Sequence, residues 1–348
     1  MATKVHSFPE QIAIFNNYFN ISSFVALAFC SNEILIVILH HQIITRTSMI
    51  GERGKAHAGL LFAMVAFGLM SPLSKDIINQ GLTGLQLATL RISGATLLLW
   101  CATPFAPRQH VPRRDLMLMA LAGLLGVVIA QGGFIVGVEL TSPINSAIEV
   151  TSQPIFAMLM AAIIMHEHIT IKTSAGILLG FAGACLLIMS NAPLAGHAAD
   201  YRGDLIILGS QLGFAVYLTV FPSVIRRYHV LVFNKWMFTF AAIAILPVTI
   251  HEMLSLDVQA ITSQVFLEIA FIIVVCTFVN FIIVTNAQRV LAPTTVSTYN
   301  YLQPLIASIA SISMGLATLR WQHFASTLLI FTGVWLVINS NSHHRIRK

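Results

Sequence analysis

The chain has 348 residues, of which 57% are apolar and only 9% charged. A soluble domain carries roughly a quarter charged residues, so this chain lacks the polar clothing of a water-facing surface and must face lipid instead. Its formal net charge of +6 is scattered rather than massed, which argues against a nucleic-acid partner and makes the bilayer the expected one.

Residues 1–57 stand apart from the rest of the chain. Within them 21–39 is apolar, but Asn32 and Glu33 interrupt it. As a signal peptide the stretch comes late and has a thin charged start. As a membrane span it would hold a carboxylate near its centre, at a cost of ~2.5–3.5 kcal/mol. The segment is therefore read as an extension: a mis-assigned start with translation beginning at Met49, or a loosely attached helix.

From residue 59 onward there are ten apolar runs, at 59–77, 85–104, 116–138, 144–165, 174–190, 204–222, 235–250, 265–285, 294–315 and 324–339. Each is close to the ~20 residues a helix needs to cross a hydrocarbon core of ~30 Å. Lipid offers no partner to an unpaired backbone group, and strand-barrel alternation is absent, so the spans are expected to be helical. Arg46, Arg53, Lys55, Arg108, Arg113, Arg114, Lys172, Arg226, Arg227, Lys235, Arg289 and the basic tail at 342–348 fall on one side if the spans alternate. That bias places both termini in the cytoplasm. Trp100, Trp236 and Trp321 lie at span ends, as interfacial anchors do. Cys30, Cys101, Cys185 and Cys276 have no paired spacing and read as packing thiols.

The chain repeats itself. Between Pro143 and Asn191, thirteen residues recur 150 positions later, among them Pro143/Pro293, Gln153/Gln303, Pro154/Pro304, Ala157/Ala307 and Gly183/Gly333. Two five-span units, 58–191 and 203–341, result. An odd number of spans per unit makes the second enter from the opposite side. The expected fold is an all-α membrane protein of ten transmembrane helices in two inverted five-helix repeats, an arrangement suited to alternating access.

The repeated Gln-Pro pair locates a candidate site. Pro154 comes eleven residues after Pro143, roughly 16 Å along a helix and near the bilayer midplane. Proline removes its own N–H and displaces the carbonyl four residues earlier, which is Val150 for Pro154 and Asn300 for Pro304. Freed carbonyls at that depth require protein partners or a wet cavity. Gln131, Glu149, Gln153, Pro154, Asn300, Tyr301, Gln303 and Pro304 are the candidate cavity residues. Glu149 lies well inside a repeat span, with Lys75 and Arg91 at similar outward depth. Two readings stay open: a coupling carboxylate that binds a proton or cation, or a salt bridge to Arg91 or Lys75 that closes an outer gate.

Small residues at 176, 180, 183–184, 307, 311 and 315 suit close helix packing or a homodimer surface. His166-Glu167-His168 has His at i and i+2, which cannot share a helix face as zinc ligands do. No nucleophile triad, P-loop or paired hydrolytic carboxylate appears, so neither enzyme activity nor a cofactor or metal is expected.

Together these features resemble the drug/metabolite transporter superfamily, specifically its EamA-type members. The resemblance rests on the tandem five-helix units and on the fourth helix entering through Pro143 or Pro293 and carrying an internal Gln-Pro. It rests also on the turn at His166-Glu167 or Thr318, the glycine-containing fifth helix ending in Ser-Asn, and the opening Phe67-Gly68-Leu69-Met70-Ser71-Pro72. Phe67 stands where the family usually has tryptophan, and Ala317 where the second unit would carry an acidic residue. The resemblance implies a bacterial inner-membrane protein with a central cavity moving small metabolites, often outward. An amino acid or related compound is the expected substrate. A sugar-phosphate or nucleotide-sugar exchanger, or a non-transporting scaffold, is the alternative.

Overall fold

A computed structural model describes residues 49–141, 143–166, 169–191, 201–256, 261–313 and 321–344. The apolar stretch at 21–39, Glu167-His168, Ala317-Thr318 and the end of the basic tail lie outside them. The first half comprises α1 (Met49–Asn79), α2 (Gly84–Cys101), α3 (Arg113–Leu140), α4 (Pro143–Val150), α5 (Gln153–Ile164) and α6 (Ile171–Asn191). The second comprises α7 (Tyr201–Val220), α8 (Pro222–Arg227), α9 (Val230–Leu254), α10 (Ser263–Val290), α11 (Pro293–Thr298), α12 (Leu302–Ser313) and α13 (Trp321–His344). No strand occurs among the described residues. α1 already begins at Met49, so residues 49–57 of the expected extension are helical.

Local chemistry sets the helix ends. α1 reverses into α2 through Gly81, whose φ of 109° suits a residue without Cβ. Thr83 then opens α2 with a capping box, its hydroxyl accepting from the Gln86 backbone N–H while the Gln86 side-chain Oε1 accepts from the Thr83 N–H. Thr262 caps α10 by accepting from the Val265 N–H.

Among the described residues, α3, α7, α9 and α10 are long and apolar enough to cross a membrane, and 148–164, 171–186 and 324–340 form shorter apolar helices. Leu97, Met117, Val248, Phe266 and Leu328 point outward into the surroundings. Such a coat is stable only against lipid, and the chain is a multi-pass membrane protein.

The two halves pack through a self-consistent set of contacts. α3 lies on α7 as α10 lies on α1, α5 on α7 as α12 on α1, and α3 on α9 as α10 on α2. Swapping each helix for its counterpart in the other half maps this set onto itself. The counterpart pairs α2–α9 and α6–α13 touch directly, and both run antiparallel. At one end of α2 and α9, Gln86 Nε2 donates to the Glu252 carbonyl at 2.8 Å; at the other, Trp100 Nε1 donates to Thr239 Oγ1 at 3.0 Å. For α6 and α13, Thr173 Oγ1 donates to Ser340 Oγ at 2.9 Å, while Gly183 abuts the Ser326 carbonyl at the opposite end. The glycine face of α6 is thus filled from within the chain.

Candidate functional site

The fourth helix of each half breaks ahead of its proline. α4 stops at Val150 and α5 starts at Gln153. Across the gap the Thr151 and Ser152 N–H groups reach back three residues to the Ile148 and Glu149 carbonyls at 3.0 Å. The Thr151 and Ser152 hydroxyls donate to the same two oxygens at 2.5 and 2.6 Å. In the second half α11 tightens into a 3₁₀ turn over Tyr299–Tyr301 before α12, and the Thr298 hydroxyl donates to the Thr294 carbonyl at 2.5 Å. Hydroxyl side chains therefore take up backbone acceptors around both breaks.

Between the breaks lies a cavity of about 50 Å³, walled by Phe67, Met70, Ala130, Gln131, Phe134, Val150, Ser210, Gln211, Phe214, Asn300 and Gln303. Val150 and Asn300, whose carbonyls lose their donors to Pro154 and Pro304, both line it. Space of this size holds a few waters. Of the sequence-derived candidates, Gln131, Asn300 and Gln303 meet here, with Gln303 Nε2 donating to Asn300 Oδ1 at 3.2 Å. Gln153 and Pro154 are buried but are not among the wall residues, and neither Gln153 amide atom has a partner among the described residues. Tyr301 is sealed away, donating to the Ile177 carbonyl at 3.0 Å. Pro304 is buried in α12, and Lys75 lies on α1 with its side chain outside the described set.

Behind Gln131 stands Arg91, 1% exposed. Its Nη2 donates to Gln131 Oε1 at 2.7 Å and its Nε to Thr277 Oγ1 at 2.6 Å. Both acceptors belong to stretches where a helix widens to i→i+5 bonding: Leu124–Gly132 in α3 and Ile272–Val279 in α10. Such widenings recur at functional sites. These two occupy equivalent places in the two halves, so one guanidinium ties both together. Arg91 is thus engaged with neutral partners, not with Glu149.

Glu149 instead faces a second carboxyl, that of Asp204 at the start of α7. Asp204 also accepts from the Thr141 hydroxyl. In the other half the residue 150 positions on, Tyr299, contacts His57 near the start of α1, with Tyr299 Oη 2.7 Å from His57 Nδ1. Glu149 and Tyr299 each immediately precede a cavity-lining residue. A matching polar contact therefore flanks the cavity in each half.

Sequence reasoning missed Phe67, Met70, Phe134, Ser210, Gln211 and Phe214 as wall residues, and Thr277, Asp204 and His57 as partners. The Ser210-Gln211 pair, polar inside an apolar run, was a usable signal. The aromatic residues carried none, because the lipid faces are equally rich in them.

A lipid-facing helical bundle with a cavity of amide and aromatic side chains between matched breaks in its two halves has the build of a solute transporter. The chain belongs to the EamA-like transporter family, whose pattern matches residues 54–189 and 201–339. It is similar to a probable terminal-alkyne amino-acid exporter of Streptantibioticus cattleyicolor, 26% identical over 61% of this chain and 71% of that one. It also resembles an uncharacterized transporter of Bacillus subtilis, YvbV, 24% identical over 80% and 90% of the two chains. A WAT1-related protein of Arabidopsis thaliana is 21% identical over 82% and 85%. A solved crystal structure superposes with a TM-score of 0.64 at 17% identity, covering 84% of this chain and 99% of that one.

Proposed function

We propose that this protein is a non-enzymatic secondary transporter that exports a small metabolite, an amino acid or related compound, across the bacterial inner membrane. Ten spans form two inverted five-helix repeats with both termini cytoplasmic. The observation that carries the reading is the cavity formed where the fourth helix of each half breaks before its Gln-Pro. The antiparallel pairing of α2 with α9 and of α6 with α13 supports inversion of the halves, and the distribution of lysine and arginine supports the orientation. The amino-acid exporter among the relatives supports the substrate class.

Alternating access follows from the symmetry. The Glu149–Asp204 contact closes the cavity on the outward side and the His57–Tyr299 contact on the cytoplasmic side. Opening one while the other stays shut exchanges the conformations of the two halves at little net energy. A solute larger than a few waters enters only when the cavity walls part. Purified protein in liposomes, preloaded with unlabelled amino acids, should accumulate the labelled compound by counterflow. Vesicles that equilibrate no faster than protein-free controls refute transport.

A further inference from the structure

Arg91 is enclosed on all sides, yet its Nη1 has no partner among the described residues. Its bonded partners, Gln131 and Thr277, are both neutral. Among the described residues no carboxylate forms an ion pair with it; the ion pair found there joins Arg227 to Asp115. A guanidinium is always charged, and a buried cation without an anion is strongly unfavourable unless a partner arrives. Intramembrane charges of this kind mark solute pathways. Arg91 also sits one side chain behind the cavity, because its partner Gln131 is part of the wall.

We propose that Arg91 is the anion-binding residue of the transport cavity. The substrate carries a single carboxylate, which takes the place of Gln131 Oε1 and bonds Nη1 and Nη2 as a fork. No second cation lines the cavity among the described residues, so one negative charge is matched rather than the two of a phosphate monoester. Because Nε stays on Thr277, the incoming carboxylate releases the α3 widening while α10 remains held. Substrate would thereby loosen one half relative to the other. The proposal rests on the transporter reading.

The test uses the full-length protein in liposomes with L-norvaline, L-leucine and valerate, each beside its primary amide. The acids are expected to accumulate, and the amides about tenfold more slowly, reflecting loss of a charge-assisted fork. Arg91→Gln should erase that preference, and Arg91→Lys should weaken it without reversing it. Should Arg91→Gln not fold, Gln131→Glu carries the test. It gives Arg91 a permanent internal carboxylate, and is expected to raise the melting temperature while abolishing acid accumulation. If neither acids nor amides move, the transporter reading fails and takes the proposal with it. If amides move as fast as acids, or Gln131→Glu transports acids normally, transport stands and the Arg91 site is wrong.

Discussion

Replacing Gly333 by alanine tests the seam that joins the two halves. Gly333 on α13 faces α6 so closely that an added Cβ would sit 2.5 Å from the Gly176 carbonyl oxygen and 2.7 Å from the Gly180 nitrogen. Both obstacles are backbone, so no rotamer change relieves them. Ordinary contact begins at 3.4 Å, and the helices must therefore part by about 0.9 Å. Overpacking costs about 1–3 kcal/mol, and the upper end applies here because backbone must move along two long helices. Gly180 also supports the Tyr301 ring, which a Cβ there would meet at 2.4 Å, so parting the seam loosens the Tyr301 bond to Ile177. At about 2 °C per kcal/mol for a large chain, the Gly333→Ala protein in detergent should melt about 6 °C lower, followed by tryptophan fluorescence. Gly209 is the control, because nothing lies within 4 Å of its added Cβ. Gly209→Ala should melt at or slightly above the wild-type temperature, since alanine favours the helix by about 1 kcal/mol. Equal melting of the two variants refutes the close-approach argument.

Three further outcomes are expected. His229 caps α9 by accepting from the Leu231 N–H through Nδ1, which only a neutral ring can do. Burial first, and then Arg289, lower its pKa below the usual 6.5. The unfolded chain therefore takes up the proton first, and this contribution to stability is complete above about pH 6.5 and lost as pH falls. His57 shifts in the same direction through burial and Arg53. Melting at pH 5.5 should fall below that at pH 7.5, and His229→Gln should shrink the difference; an undiminished difference removes His229 from the account. Asp115, 3% exposed, accepts from Tyr228 Oη at 2.5 Å and pairs with Arg227 at 3.1 Å. Asp115→Ala should destabilise by about 1–3 kcal/mol, chiefly through the stranded Tyr228 hydroxyl, and the loss should not add to that of Tyr228→Phe. Full additivity in that double-mutant cycle denies the bond any weight. Glu149→Gln leaves Asp204 with a neutral neighbour, so transport should lose its pH dependence. An unchanged pH profile rejects proton coupling at this pair.

Much of the plan was legible because it rests on short-range chemistry. Pro154 and Pro304 announce the helix breaks, since a missing N–H acts on the residue four positions back whatever surrounds it. The break residues Val150 and Asn300 then line the cavity. Arg91 was legible as an intramembrane cation but not in its role, because Thr277 is 186 residues away and only packing brings them together. The widened stretches of α3 and α10 left no trace. A change from i→i+4 to i→i+5 bonding alters no side-chain requirement, and Gly126 in α3 has its reason in the Tyr217 ring pressed against it from α7. Asp204 looked like an ordinary acidic residue in a first helical turn, and its meeting with Glu149 depends on how α4 lies against α7.

Duplication accounts for the shell of this protein, and departures from duplication mark its chemistry. Helix breaks, widened stretches and flanking contacts all occur twice, as the proposed alternation between two equivalent structures requires. The charges do not. Glu149 recurs as Tyr299, and α9, the counterpart of α2, has no arginine between Val230 and Leu254. A perfectly repeated chain would hold its two structures at equal energy and present the same pocket to both sides, with no preference for any solute. Arg91 breaks that equality by placing the only described cation behind the cavity in one half. The Glu149–Asp204 contact breaks it again, because it sets two carboxyl groups together where the other half joins an imidazole to a phenol. The two ends of the cavity therefore carry different chemistry on a repeated helical plan. Under the proposed alternating access, exchanging those few unrepeated residues between halves should redirect or silence transport while the fold persists.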